Sequence, residues 1–158
     1  MTFLVALFAA LHMAPACGAA RLSATFTAIP GSEGAGNIVY ALTVKNKSKT
    51  ECFVTGMPQV KLLDKQGRAQ PTHPIAVHPG AQTAVRVTLK PGAKATADAR
   101  FSPDVPGVGE QHLGQCEPTS YTLLLTPTGG GTLRAPIKPP TPVCEHGQLQ
   151  LSVFTAAK

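Results

Sequence analysis

Residues 37–46, "NIVYALTVKN", carry the hydrophobic pattern that indicates the fold class. Apolar side chains occupy every second position of this stretch, at Ile38, Tyr40, Leu42 and Val44. A period of two predicts a β-strand that buries one face and exposes the other. Further strands are predicted, on alternation or on short apolar runs, in residues 21–30, 83–92, 93–101, 120–127, 132–139 and 147–154. Two short strands are also predicted, one with Cys52 and Val54 facing inward and one with Val60 and Leu62, with Gly56 and Pro58 bending the chain between them.

Glycine and proline separate these segments, with 15 of each in the 158 residues. Turn signals recur about every 8–12 residues, so we predict an all-β chain of roughly seven to nine short strands. The expected architecture is an antiparallel β-sandwich, with a closed barrel as the alternative. Residues 128–132 are expected to form a hairpin tip and residues 102–115 a long loop. The thin apolar face of residues 93–101 suggests a strand near a sheet edge.

The first 16 residues are typical of a secretory signal peptide. They contain no formal charge and end in Ala14-Pro15-Ala16, which matches an A-x-A cleavage site. The start lacks the usual basic residue, and a buried N-terminal helix is the alternative. The apolar run is shorter than the roughly 20 residues that span a bilayer. We predict a signal peptide in residues 1–16 and a single domain in residues 17–158 of a secreted or cell-envelope protein.

The formal net charge of +6 indicates little about partners. The basic residues are scattered, so a solvated, solubilising surface explains the charge better than attraction to anionic envelope polymers or lipid head groups. Nucleic acid is not expected as a partner, because no aromatic side chains are interleaved with the basic ones to form a stacking platform.

Four cysteines, Cys17, Cys52, Cys116 and Cys144, follow the signal segment. An even count in an exported chain favours disulfides, and four cysteines allow three pairings. We expect Cys17–Cys52 and Cys116–Cys144, which would fasten each end of the chain to a nearby strand. A lipid on Cys17 would instead attach the protein peripherally to a membrane and leave Cys52 as a free thiol. The sequence before Cys17 fits lipidation poorly, because it lacks the preferred Leu three residues ahead.

No catalytic or metal-binding constellation stands out in the sequence. There is no G-x-S-x-G elbow, and the acidic residues lie mostly at turns or beside cysteines. His73 and His78 share one Pro-rich segment, but two donors are too few for copper or zinc. We therefore expect no catalytic residues, no cofactor and no metal ligands. Asn46-Lys47-Ser48 fits a glycosylation sequon, although a turn explains it with fewer assumptions.

Several motifs, taken in order, resemble a known family. They are "CGAARL" (17–22), "LTVKNKS" (42–48), "CFVTGMPQVKLLDKQG" (52–67), "LKPG" (89–92), "CEPTSYTLLLTP" (116–127) and "CEHGQLQLSVF" (144–154). Their order and spacing resemble the exported bacterial proteins classed as domain of unknown function 4232. The resemblance implies an immunoglobulin-like sandwich, export, frequent lipid anchoring and no assigned activity. The chain departs from that pattern in its uncharged start and in the long loop at residues 102–115.

These observations favour a non-catalytic binding or interaction module of the cell envelope. Its partner would be an envelope protein or polymer that the sequence does not name, because fold class alone does not define function. A small secreted enzyme and a metal-handling or inhibitor-like protein are the alternatives. A pocket joining carboxylates or histidines would favour these alternatives, whereas an exposed apolar patch among the loops would favour the binding module.

Overall fold

A computed structural model describes residues 13–77 and 85–158, so residues 1–12 of the predicted signal segment and His78 lie outside the described residues. A single 3-10 turn, Ala19–Arg21, precedes the first strand. The strands are β1 Leu22–Ala28, β2 Ile38–Asn46, β3 Cys52–Thr55, β4 Gln59–Leu63, β5 His73–Ala76, β6 Arg86–Leu89, β7 Lys94–Phe101, β8 Ser120–Thr126, β9 Leu133–Thr141, β10 Gln148–Leu151 and β11 Thr155–Ala156. In the described ranges, no helix is long and apolar enough to cross a membrane.

The strands form one large sheet and one short ribbon. The order in the large sheet is β4-β8-β9-β1-β2-β7-β10-β5, with β11 also paired to β7, while β3 pairs with β6 in the ribbon. The predicted all-β sandwich is therefore confirmed. It is not purely antiparallel, however, because β1 runs parallel to β9 and β10 runs parallel to β5. These pairs join strands distant in sequence, so no hairpin turn dictates their direction.

The centre of the core lies on the strand that indicated the fold. In β2, Tyr40, Leu42 and Val44 are at most 1% exposed, as the alternation predicted. The Tyr40 ring packs between Phe26 and Phe101, with its centroid 5.1 Å from each of the other two. Its hydroxyl donates a hydrogen bond to the Pro139 carbonyl oxygen at 2.9 Å. Tyr40 thus joins the rings of Phe26 and Phe101 and satisfies its own polar atom, as a buried tyrosine requires.

The prediction that residues 93–101 lie near a sheet edge is wrong. Strand β7 is central, flanked by β2 and β10, and its inward alanines are fully buried. Each small residue faces a larger one across the strand pair: Ala99 opposes Tyr40 and Ala97 opposes Leu42. The apolar face is thin because the small side chains leave room for their bulky partners, which close packing of the core requires.

The predicted turns are confirmed. Residues 128–132 connect the antiparallel strands β8 and β9, and residues 102–115 contain neither helix nor strand.

Asn46 is fully buried and supports the turn after β2. Its side-chain amide donates to the carbonyl oxygens of Thr50 and Leu89, and its Oδ1 accepts from the backbone and hydroxyl of Ser48. These four hydrogen bonds use both donors and both acceptor positions of the side-chain amide. Asn46 therefore has a structural role, which is to hold the turn after β2.

Candidate functional site

The candidate site lies where the long loop between β7 and β8 meets the turn before β10. The Glu110 carboxylate accepts backbone hydrogen bonds from Gly107 at 2.6 Å, from Glu145 at 2.8 Å and from His146. Its side chain is only 2% exposed. Convergent backbone N–H groups of this kind form a concave anion site, and here a side chain of the same protein occupies it.

The turn Cys144–Gly147 has an unusual backbone. Glu145 and His146 have φ angles of +56° and +57°, and Gly147 follows at +78°. The left-handed conformation is unfavourable for residues that carry a Cβ atom. It directs the N–H groups of Glu145 and His146 at the Glu110 carboxylate, which offsets this cost. The Cys116–Cys144 disulfide joins the same loop to the same turn, with 5.6 Å between the two Cα atoms.

Two carboxyl groups and an imidazole ring meet at this junction. Nδ1 of His146 is 3.7 Å from Oε1 of Glu110 and 3.7 Å from Oε1 of Glu117. The donor atoms of the three side chains all lie within 4.8 Å of one another. Nε2 of His146 is 2.9 Å from the carbonyl oxygen of Val108, which fixes the ring.

The two carboxyl groups have opposite pKa shifts. Burial acts to raise the pKa of Glu110, but the backbone N–H groups of His146, Gly107 and Glu145 outweigh it and lower that pKa below its usual value. Burial raises the pKa of Glu117, and the hydrogen bond and negative charge of Glu110 raise it further. Glu110 is therefore the stable anion of the pair, and Glu117 is the group that resists ionisation.

Replacing Glu117 with Gln is expected to raise the melting temperature near neutral pH by a few degrees. A small gain in unfolding free energy shifts the melting temperature of a domain of this size by about that much. The folded state holds the Glu117 proton to a higher pH than the unfolded state does. Stability therefore falls as the pH rises from the unfolded pKa through the raised folded pKa. Gln stays neutral and can still donate to Glu110.

Thermal melts between pH 4 and pH 8 would measure this effect. A chelator is included so that metal ions do not contribute to it. Glu51→Gln is the matched control, because Glu51 is exposed and its replacement changes the net charge equally. A Glu117→Gln protein that melts at or below the wild-type temperature at pH 7 would contradict the prediction.

The loop also presents apolar side chains to solvent. Val108 and Leu113 are 97% and 90% exposed. The Glu110 hydrogen bonds and the Cys116–Cys144 disulfide fix the backbone close to both residues. Val108 and Leu113 are therefore exposed apolar side chains on a loop whose backbone is held in place.

A separate groove of about 380 Å³ lies beside β4 and β8. Its walls include Met57, Phe154 and polar side chains of Thr55, Gln59, Thr126 and Thr128. No ionisable side chain lines the described part of this groove.

The predicted cysteine pairs are both present. Cys17 bonds to Cys52 and Cys116 bonds to Cys144. The Cys17 sulfur is thus held inside the protein, and lipidation of this atom would require the bridge to be absent. His73 begins β5 and is exposed.

Sequence reasoning missed the junction of Glu110, Glu117 and His146. A usable signal was present: Glu117 directly follows Cys116, and His146 lies two residues after Cys144. The expected Cys116–Cys144 bridge therefore already implied that these two side chains come close together. Glu110 carries no such signal, because its position depends on the path of the loop.

The fold and the site together define a class of protein: a β-sandwich with two disulfides and a long loop whose backbone is held in place. The chain belongs to the family described as Domain of unknown function (DUF4232), whose model matches residues 17–155. The match begins at Cys17 and includes both disulfides. A search of curated proteins and a search of solved structures returned no match to the chain.

Proposed function

We propose that the protein is an exported, non-catalytic binding module of the cell envelope, and that residues 102–119 form its binding loop. The observation that carries the proposal is the exposure of Val108 and Leu113 on a restrained loop. Large apolar side chains that are almost fully exposed on one loop are typical of contact sites. A loop already fixed in position loses less conformational entropy when it binds.

Export is supported by two observations. Both disulfides are of a kind that forms and persists in oxidising compartments. The uncharged, apolar start of the chain is typical of a secretory signal. We place the protein outside the cytoplasm, either secreted or retained in the envelope.

An envelope protein suits the loop better than a polymer does. Residues 102–119 contain no Lys or Arg, so the net positive charge of the chain is not concentrated where the apolar side chains are exposed. Apolar contact at the centre of an interface with a polar rim is typical of protein–protein recognition. An anionic polymer would instead bind the scattered basic surface, and its binding would weaken strongly with salt.

The test is a pull-down from envelope extract with the purified, disulfide-bonded protein as bait. The loop variant Val108→Ser/Leu113→Ser is compared with Val77→Ser/Val85→Ser, which removes exposed apolar side chains elsewhere. We expect wild type and control to retain the same protein at moderate salt, and the loop variant to lose it. Equal retention by the loop variant, retention of a polymer alone, or no retention by wild type would overturn the proposal.

A further inference from the structure

We propose that Glu110, Glu117 and His146 form a binding site for a divalent cation of the zinc class. This site goes beyond the proposed binding function and does not depend on it. It also departs from the expectation of no metal ligands, which rested on finding at most two histidines that could converge, His73 and His78. Three features support the site: the orientation of the His146 ring, the spacing of the three donors and the restraint of the carboxylates.

The His146 ring is oriented with a free lone pair toward the carboxylates. The Val108 carbonyl oxygen can only accept a hydrogen bond, so Nε2 of His146 at 2.9 Å carries the proton. In the neutral ring Nδ1 then has no proton, and its lone pair faces the two carboxylate oxygens. Metal-ligating histidines typically donate their other N–H to a carbonyl or carboxylate in this way, which fixes the tautomer and the ring orientation.

The spacing of the donors fits a small cation. Donor atoms of a tetrahedral zinc site lie roughly 3.4 Å apart, given bond lengths of about 2.0–2.2 Å. Nδ1 of His146 is 3.7 Å from each of the two carboxylate oxygens. Small side-chain rotations would therefore bring all three atoms to bonding distance, with a fourth position left for water or a donor from a partner.

Electrostatics also favour a cation at this point. Glu110 uses three of its roughly four acceptor positions on backbone N–H groups, which leaves one for a metal. The Glu117 side chain is 15% exposed, and its donor oxygen lies within 4.8 Å of that of Glu110. A divalent cation between the two carboxylates would remove the repulsion between them. The His146 side chain is 61% exposed, so an entry path exists.

The nature of the donors selects the class of ion. Imidazole nitrogen together with carboxylate oxygen suits Zn²⁺ and its transition-metal neighbours. Ca²⁺ and Mg²⁺ bind oxygen ligands almost exclusively and need six or more of them. The bound ion would join the long loop to the Cys144–Gly147 turn, beside the Cys116–Cys144 disulfide.

The test is metal titration of the purified, disulfide-bonded protein after chelator treatment. We expect Zn²⁺ to bind one to one and to raise the melting temperature by roughly 5 °C or more at a hundredfold excess over Kd. Co²⁺ should give the intense visible absorption of a tetrahedral site. Ca²⁺ and Mg²⁺ at the same concentration should give no shift.

Three variants complete the experiment. His146→Ala and Glu117→Gln should lose the zinc-dependent shift, whereas His112→Ala, which removes an exposed histidine of the same loop, should keep it. Glu117→Gln is expected to be well folded without metal, so its loss of binding would not reflect misfolding. Absence of a shift in wild type, retention of the shift in His146→Ala, or an equal shift with Ca²⁺ would overturn the proposal.

Discussion

Replacing Cys17 and Cys52 together with alanine is expected to lower the free energy of unfolding by roughly 3–4 kcal/mol. The bridge closes a loop of 35 residues, and the chain-entropy relation gives a value of this size for that length. Both cysteines are fully buried, so the loss of core contacts adds to the effect. Chemical denaturation of the oxidised wild type and the double variant measures it.

Backbone hydrogen bonds of Cys17 anchor this segment at two further places. The Cys17 amide donates to the Phe53 carbonyl oxygen at 2.8 Å, and the Gly129 amide donates to the Cys17 carbonyl oxygen at 2.9 Å. The segment therefore joins the β3 ribbon to the hairpin tip between β8 and β9.

Cys116→Ala/Cys144→Ala is the matched comparison, because its loop spans 28 residues and the entropy difference from 35 is only about 0.2 kcal/mol. Similar losses of unfolding free energy in both double variants would indicate that the disulfides stabilise the protein mainly by lowering the conformational entropy of the unfolded state. A loss below about 1 kcal/mol for the Cys17 pair would contradict the prediction.

Gly147→Ala is expected to lower the free energy of unfolding by roughly 2–5 kcal/mol. A Cβ atom at this position would overlap the Pro71 carbonyl oxygen, which belongs to the backbone and cannot rotate away. The φ angle of +78° adds strain of about 1–2 kcal/mol for a residue with a side chain. Relief of the overlap requires the turn to move, which costs a further amount typical of overpacking, about 1–3 kcal/mol.

Gly31→Ala separates the two contributions. Gly31 has a similar φ of +75°, but a Cβ atom added there would meet nothing within 4 Å, so only the backbone strain remains. The difference between the two variants in denaturant unfolding measures the close approach of Gly147 to Pro71. Equal losses for the two variants would show that the turn moves freely, and would contradict the prediction.

The sequence predicted most of the strands, because each of these is a local pattern. It missed β5, which lies in a segment rich in Pro, His and Gly that indicated an irregular connection. Tyr40, Leu42 and Val44 are buried together because the pleat alternates every residue, and this holds whatever the neighbouring strand is. The cysteine pairs were also predictable, since sequential pairing joins each end of the chain to a nearby strand. The pairing of β1 with β9 was not, because Phe26 and Ile137 are partners separated by most of the chain.

The position of β7 shows where local patterns stop being informative. Ala95, Ala97 and Ala99 bury little area of their own, so the sequence indicated a weakly buried strand. Their role depends on the bulky partners opposite them in β2, and register is a property of the paired strands together.

By itself, the sequence determined the all-β class, the turns and the cysteine framework, because these follow from side-chain period and from covalent chemistry. Only the tertiary structure decided the junction of Glu110, Glu117 and His146. The three residues come from a long loop without periodicity and from a left-handed turn that exists because Glu110 accepts its N–H groups. Their meeting depends on convergence of backbone and carboxylate in space, which no short stretch of sequence encodes.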